Sequence, residues 1–304
     1  MSRVLVTGAG GQLGSELRAL EKDYPSMQFY FFERSALPLD NRPSLEAVFE
    51  EIRPQICINA AAYTAVDKAE SEPDQAFAIN ATAVGWMSEL CAQYHSLLVH
   101  ISTDYVFDGT GQVPYTESDQ VNPLGVYGRS KLMGELFAAA AHNQVVIIRT
   151  SWVYSYFGKN FVKTMLRLLN EKESLNVVND QVGRPTYAAD LAGAILHICE
   201  AYQALPPDSV DERASSSVVV DERFNTIYHY ADEGVISWYD LTVAIKEVIK
   251  APCTVRPITT AEYPTPAKRP SYSVLDTTKI ETAFGVSIPK WDDSLKRCLI
   301  KLIP

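Results

Sequence analysis

The sequence predicts an α/β protein built on a doubly wound parallel sheet, with a smaller C-terminal lobe. Three observations carry that expectation. Short apolar, β-branched runs alternate with helix-length segments through residues 1–150. A glycine-rich turn joins the first run to the first helix. Beyond Thr150 the alternation loosens into helices separated by short, irregular, proline-punctuated chain.

Strands are expected at Arg3–Thr7, Gln28–Phe32, Gln55–Asn59, Leu97–Ser102 and Val145–Thr150, mostly apolar runs of the kind buried on both faces of a parallel sheet. Helices are expected at Gln12–Lys22, Ser44–Ile52, Asp74–Tyr94 and Tyr127–His142, and right-handed crossovers leave few topologies. Residues 151–304 should form mainly the second lobe, with some segments returning to the main domain. Helical patterns recur there at Asn160–Asn170, Ala188–Tyr202, Trp238–Lys250 and Trp291–Ile303, whereas Pro252, Pro257, Pro264, Pro266 and Pro270 mark loop. Leu205–Arg223 is polar, carries two copies of Asp-Glu-Arg and reads as a solvated surface insertion.

Composition narrows the function. Hydrophobic residues at 47% and charged residues at 21% fit a globular core and exclude a disordered chain. A net charge of −10 disfavours a nucleic-acid polymer as partner. From Ala251 onward, however, eight Lys/Arg face five Asp/Glu, so this tail is locally basic and suits one small anion. The cysteines (Cys57, Cys91, Cys199, Cys253 and Cys298) form no CxxC pair, against a zinc ribbon or disulfide framework. Met1 leads at once into a strand rather than a signal peptide, and the apolar stretch Leu136–Ala141 cannot span a membrane. The expectation is a cytoplasmic protein with no membrane partner.

The turn Gly8-Ala9-Gly10-Gly11-Gln12-Leu13-Gly14 lies between a strand and a helix start. In that context Gly8 serves a tight turn, Gly11 a close backbone approach to a pyrophosphate, and Gly14 helix–strand packing. Free amides at the helix start, including those of Gln12 and Leu13, then meet the phosphates. This makes the sheet Rossmann-type and the ligand a nicotinamide dinucleotide. Glu33 and Arg34 end the second strand, where an acid suits a ribose hydroxyl and an arginine a 2′-phosphate, so NADH and NADPH both stay open. Asp40 and Asn41 follow on a loop suited to the adenine. Ala62, Tyr63 and Thr64 end the third strand, where small residues let a cofactor approach.

The fourth strand delivers Thr103, and Tyr127 and Lys131 follow at i and i+4, on one helix face. An ammonium near a phenol lowers its pKa, which would make Tyr127 an acid or base, with Thr103 orienting a carbonyl oxygen. Other chemistries fit less well. His95, His100, His142, His197 and His229 show no metal-ligand spacing, His100 and His197 read as structural, and no GxSxG elbow exists.

These residues resemble the extended short-chain dehydrogenase/reductase family, and within it the branch of dTDP-4-dehydrorhamnose reductases. The likeness is carried by NAAAYTAVDKAESEPD (59–74), STDYVFDGTG (102–111), NPLGVYGRSK (122–131), RTSWVY (149–154), NFVKTMLRL (160–168), NDQVGRPT (179–186) and YPTPAKRP (263–270). It covers nearly the whole chain except Leu205–Arg223, an excursion longer than the branch leads one to expect. The resemblance implies hydride transfer to C4 of a dTDP-linked 4-keto sugar, with Tyr127 giving the proton, Lys131 holding the nicotinamide ribose and Thr103 polarising the keto group. It places Asp104 and Trp152 along the sugar, and Asn160, Gln181, Arg184 and Arg269 around the diphosphate and base.

It also implies, as in some relatives, a magnesium-dependent homodimer held through acids. Glu16, Asp190 and Asp292 are the acids in question, although by themselves they read as surface groups, and no metal ligand set is assigned. Tyr63 stands where other members can have histidine.

Two alternatives stay open at this point. One is a nucleotide-sugar epimerase or 4,6-dehydratase, although a dehydratase carries Asp-Glu after its threonine and this chain reads Thr103-Asp104-Tyr105. The other is a non-catalytic dinucleotide-binding regulatory subunit, against which the intact Thr103, Tyr127 and Lys131 argue.

Overall fold

The computed structural model describes residues 1–205 and 221–303; within the expected insertion, 206–220 lie outside the described residues. The first half alternates as the sequence leads one to expect. It runs β1 (Ser2–Thr7), α1 (Gln12–Leu20), β2 (Met27–Phe32), α2 (Arg42–Ile52), β3 (Ile56–Asn59), α3 (Val66–Ala69), α4 (Pro73–Phe77), α5 (Ala83–Tyr94), β4 (Leu97–Thr103), α6 (Val126–Ala141) and β5 (Val145–Thr150). Then come β6 (Val153–Tyr154), α7 (Phe161–Glu171), β7 (Ser174–Val178), β8 (Val182–Gly183), β9 (Thr186–Tyr187) and α8 (Ala188–Gln203). The chain closes with β10 (Thr226–Tyr230), β11 (Ile236–Ser237), α9 (Trp238–Ile249), β12 (Thr254–Ile258), α10 (Thr278–Phe284) and α11 (Trp291–Leu302).

Six strands form one parallel sheet in the order β10-β5-β4-β3-β1-β2. From β1 the chain steps outward to β2 and then returns to the other side of β1 at β3. That reversal opens a crevice at the carboxyl ends of β1 and β3, where sheets of this kind bind ligands. Alternate strand residues feed two cores. Val4, Val6, Ile56 and Ile58 pack with α1, α8 and α10 on one face, and Leu5, Cys57, Leu98 and Ile147 with α2, α5 and α6 on the other. A third core joins α7, α9 and α11 over the parallel pair β7–β12.

The later half also contributes to the sheet. β10 pairs with β5 from Thr226 opposite Val146 to Tyr230 opposite Thr150, and α8 buries Leu191, Ile195 and Ile198 against the sheet. Among the described residues no helix is long and apolar enough to cross a membrane.

One expected helix is interrupted. Asp74–Tyr94 is α4, a π-helical turn at Ala78–Thr82, and then α5. The turn lets Asn80 bond the backbone of Tyr63 at both ends, accepting from its N–H at 2.8 Å and donating to its carbonyl at 3.0 Å. Such insertions gather at functional sites, and this one fixes the loop after β3.

Behind the crevice lies a buried ion pair. Arg149 of β5 meets Glu135 of α6 through Nη2 at 2.7 Å and Nε at 3.0 Å, both side chains 3% exposed, and Ser102 of β4 donates to the same carboxylate. It ties three elements together. Removing one partner strands the other charge in a dry interior, whereas apolar residues at both positions leave none. Glu135→Leu should therefore lose about 3–5 kcal/mol of unfolding free energy in urea titration, and Glu135→Leu with Arg149→Met should recover most of it. A Glu135→Leu loss under about 1 kcal/mol would sink this account of the pair.

Candidate active site

The crevice is built first by glycine. Gly8 sits at φ +70°, where its missing side chain matters twice: a Cβ would be strained there and would stand 2.6 Å from Ala61 N. At Gly14 a Cβ would overlap the Gly8 carbonyl. The first strand, the turn, the first helix and the loop after β3 are thus in direct backbone contact. Gly11 enters α1 in extended conformation, exposed, with no side chain capping the helix. The amides of the first turn therefore face a cradle of the shape and polarity that a pyrophosphate needs.

Around this cradle, Glu33 leans over Gly10, whose added Cβ would meet its carboxyl carbon at 3.3 Å, and it lies 4.0 Å from Arg18. Arg34 and Asp40 are exposed beside it. Asn41 uses its carbonyl to cap α2, accepting from Ser44 N at 3.2 Å. Ala62 and Tyr63 are half-buried and Thr64 exposed; the Tyr63 hydroxyl donates to Glu72 at 2.7 Å. Gln12 reaches the other way. Its amide donates to Val153 O at 3.3 Å and accepts from Asn160 at 2.8 Å, joining the glycine turn to the second lobe.

At the end of β4, Thr103 is 5% and Asp104 2% exposed. The Thr103 hydroxyl donates to Asp104 at 3.0 Å and accepts from Tyr105 N at 3.2 Å. Burial pushes the Asp104 carboxyl up to about 6, against the opposing influence of the nearby Ser273 and Thr103 hydroxyls. Tyr127 stands over this turn, its ring edge-on to Tyr105 at 5.5 Å. Lys131, one turn further along α6, is 1% exposed and donates to Ile101 O at 2.6 Å.

The expected lowering of the phenol pKa is not what the resting site holds. Burial pushes Tyr127 up to about 12, with a contact to Thr103 opposing it and the charge of Asp104 adding to it, while the amine of Lys131 bonds β4 through Ile101 O. Lys131 itself is pushed down to about 8 by burial, with Glu135 opposing.

Beyond Asp104 the second lobe closes the crevice. Trp152 sits at φ +50°, a strained geometry for a bulky residue, and stacks on Trp238 at 3.6 Å. A Cβ on Gly183 would meet both Trp152 and Ser273, so this glycine lets the two side chains approach its backbone, and Ser273 in turn borders Asp104.

The four nucleotide-sugar candidates are less alike. Arg269 forms a two-pronged pair with Asp67 of α3, at 2.8 and 3.1 Å, near Tyr105. Gln181 donates to Thr260 at 3.1 Å. Asn160 caps α7 besides holding Gln12. Arg184, 9% exposed, spends Nε on Asp232 O at 2.8 Å and Nη1 on Leu275 O at 2.9 Å, so it braces loops where a ligand-facing cation was expected.

The acids suggested for magnesium each have other partners. Glu16 is not a surface group: it is 1% exposed and accepts from Ser155 at 2.6 Å. Asp190 takes Arg297 and Ser294, and Asp292 takes Lys296. Among the described residues no three His, Cys, Asp or Glu side chains gather as a metal site.

Sequence reasoning missed Asn80, Trp238 and His100. His100 and His197 were read alike as structural, and His197 does bond Phe284 O at 2.9 Å. His100 instead lies 3.3 Å from the amine of Lys131. The available signal was its position three residues before Thr103, which the register carries to the same sheet edge.

With this geometry in place, comparison with known proteins is direct. A family model, the RmlD substrate binding domain, matches residues 2–303. A dTDP-4-dehydrorhamnose reductase of Aggregatibacter actinomycetemcomitans is 40% identical, over 97% of this chain and 98% of that protein. One from Sinorhizobium fredii is 40% identical, over 99% and 98%. A crystal structure of the Bacillus anthracis dTDP-4-dehydrorhamnose reductase in complex with NADP superposes with a TM-score of 0.87 at 36% identity, covering 99% of each chain. The Thermus thermophilus UDP-glucose 4-epimerase, at 20% identity and a TM-score of 0.77, shares the fold. The chain belongs to the dTDP-4-dehydrorhamnose reductase family of extended short-chain dehydrogenases/reductases.

Proposed function

We propose that this protein reduces the C4 keto group of dTDP-4-dehydro-L-rhamnose to give dTDP-L-rhamnose, using NADPH or NADH. The observation that carries the reading is that Tyr127 and Lys131, one turn apart on α6, meet the end of β4 around Thr103, on the same carboxyl edge of the parallel sheet as the glycine turn after β1. A bound nicotinamide dinucleotide supplies the hydride. The amides of Gln12 and Leu13 at the start of α1 would hold its pyrophosphate, since that of Gly11 is spent on Gly8 O; Glu33 with Arg34 would meet the adenine ribose, and Asp40 and Asn41 would border the base. Ala62, Tyr63 and Thr64 wall the crevice opposite.

The phenol of Tyr127 gives its proton to the nascent C4 oxygen, and Thr103 hydrogen-bonds the same oxygen. A developing alkoxide is a stronger base than a phenolate, so a phenol resting near 12 is protonated and still acidic enough to serve. When the Thr103 hydroxyl turns its one proton from Asp104 to the substrate, two donors meet on one oxygen and stabilise the charge that grows there. Lys131 holds the nicotinamide ribose and, as the ammonium, makes the phenolate left behind less basic. Trp152 and Asp104 pack along the sugar. Arg269 presents to the diphosphate through the same guanidinium that Asp67 orients, and Asn160, Gln181 and Arg184 shape the surrounding wall.

The runner-up, a 4,6-dehydratase, requires a second acid after Asp104; Tyr105 there is a phenol whose burial pushes it well above its usual range.

Tyr127→Phe should lower turnover with dTDP-4-dehydro-L-rhamnose about 10²–10⁴-fold, followed by loss of reduced-nicotinamide absorbance. Unchanged turnover in the folded variant would overturn the proton-donor role. Gly14→Ala, which drives a methyl group into the Gly8 carbonyl, should weaken nicotinamide dinucleotide binding about tenfold or more in a fluorescence titration. Wild-type affinity in that variant would remove the glycine turn from the cofactor site.

A further inference from the structure

A line of buried polar groups runs under the active site, from β1 across β3 and β4 to α6. The Thr7 hydroxyl donates to Asn59 Oδ1 at 2.7 Å, and Ala61 N–H donates to the same oxygen at 3.2 Å. Asn59 Nδ2 lies 3.0 Å from His100 Nδ1, and His100 Nε2 lies 3.3 Å from Lys131 Nζ. Thr7, Asn59, His100 and Lys131 are each at most 1% exposed.

The direction of every bond in this line follows from one fixed point. A backbone N–H can only donate, so Ala61 requires an oxygen at Asn59 Oδ1. The Asn59 amide is therefore not free to flip, and its NH₂ group points at His100 Nδ1, which must accept. A neutral imidazole then carries its proton on Nε2. Burial and the neighbouring Lys131 hold His100 well below its ordinary pKa, which keeps the ring neutral. The Nε2–H is consequently aimed at Nζ. An amine has a lone pair to receive it, but an ammonium has none.

We propose that His100 is a positioning residue that sets the proton affinity of Lys131: locked by Asn59 as the Nε2–H tautomer, it presents a donor to Nζ and favours the amine over the ammonium. Lys131 keeps one N–H on Ile101 O in either state. The other groups around it are accounted for. On its own helix lie Tyr127 and Glu135, the latter held by Arg149 of β5 and Ser102 of β4. Past the end of β4 lie Asp104, bonded to Thr103, and Tyr105. At the start of α6, Glu70 accepts from Val126 N at 2.8 Å. From β3 comes only the uncharged Asn59. His100 is thus the neighbour whose hydrogen-bond sense opposes a charge on Lys131.

The functional consequence rests on the reductase reading. A Lys131 that exchanges its proton with solvent near neutral pH can return one to the Tyr127 phenolate after each turnover: an ammonium N–H bond breaks, the phenol O–H bond forms, and the amine left behind takes a proton from water before the next turnover. Turnover should then fall as pH rises through the proton loss of Lys131.

Nitrogen NMR on isotopically labelled wild-type enzyme tests the tautomer directly: His100 should show protonated Nε2 and bare Nδ1. His100→Gln replaces the donor with a side chain whose carbonyl can turn to Nζ, which favours the ammonium. The Nζ titration should move up by about one pH unit, and the alkaline limb of turnover should move with it. Asn59→Asp, which accepts from Nδ1–H and so reverses the tautomer, should shift both in the same direction if His100→Gln does not fold. An Nδ1–H tautomer or an imidazolium in the wild type, or an unmoved Nζ titration in the folded variant, would overturn the proposal. A shifted Nζ titration with an unmoved activity limb supports the role of His100 and instead refutes the role of Lys131 in turnover.

Discussion

A lysine amine buried to 1% exposure is the constraint around which this site is arranged. Removing such a group from water is costly unless it is hydrogen-bonded, and its contacts are on β4, through Ile101 O and His100. That requires α6 to lie unusually close to the sheet edge. Two glycines permit it: a Cβ on Gly128 would overlap the Tyr105 carbonyl, and one on Gly134 the Asn80 carbonyl. The π-helical turn that carries Asn80 thus serves two ends, bracing the loop after β3 and giving α6 a surface to press against. Once the helix is seated, the i, i+4 spacing places Tyr127 over the end of β4 without further help.

How far the sequence discloses this depends on whether a residue's partner is near in the chain. Strands β1, β3, β4 and β5 were legible because burial on both faces leaves little but apolar residues, and β2, at the edge of the sheet with Gln28 exposed, because it is otherwise apolar and aromatic. β10 was not, because Thr-Ile-Tyr-His-Tyr mixes polar and aromatic groups, and His229 finds its partners far away, its ring on Tyr115 O at 3.0 Å and its N–H on Glu117 at 2.9 Å. The π turn was hidden for a related reason. Nothing around Asn80 announces that the backbone of Tyr63 needs both ends of an amide. Thr103, Tyr127 and Lys131 were legible as a local pattern, whereas His100 acquires meaning only when α6 brings an amine to it.

The arginines show the same limit from the other side. Arg184 and Arg269 each flank a proline and look alike in sequence. One is buried and committed to two backbone carbonyls; the other is partly open and paired with a carboxylate. Burial lowers the pKa of the first and opposes its charge, while Asp67 favours the charge of the second. A guanidinium bonded to carbonyls acts as a brace for the chain. A guanidinium held by a carboxylate at a crevice edge keeps its charge and a fixed plane, and that is the form in which a diphosphate can use it.

This distinction changes what the basic tail can mean. Arg269 is matched by Asp67, Arg297 by Asp190, and Lys296 by Asp292 and Asp293, so much of the positive charge is already balanced. An acidic protein that must hold two polyanionic ligands therefore cannot rely on a broad positive field, which would in any case be screened within about 8–10 Å. Directed donors are left to do it. The amides at the start of α1 are neutral, fixed by backbone contact, and cost no rearrangement when an anion arrives. Arg269 is likewise held in place before any ligand binds. Recognition by oriented dipoles and one aligned guanidinium is compatible with a net charge of −10, because it needs donors aimed at a short anion and no positive surface.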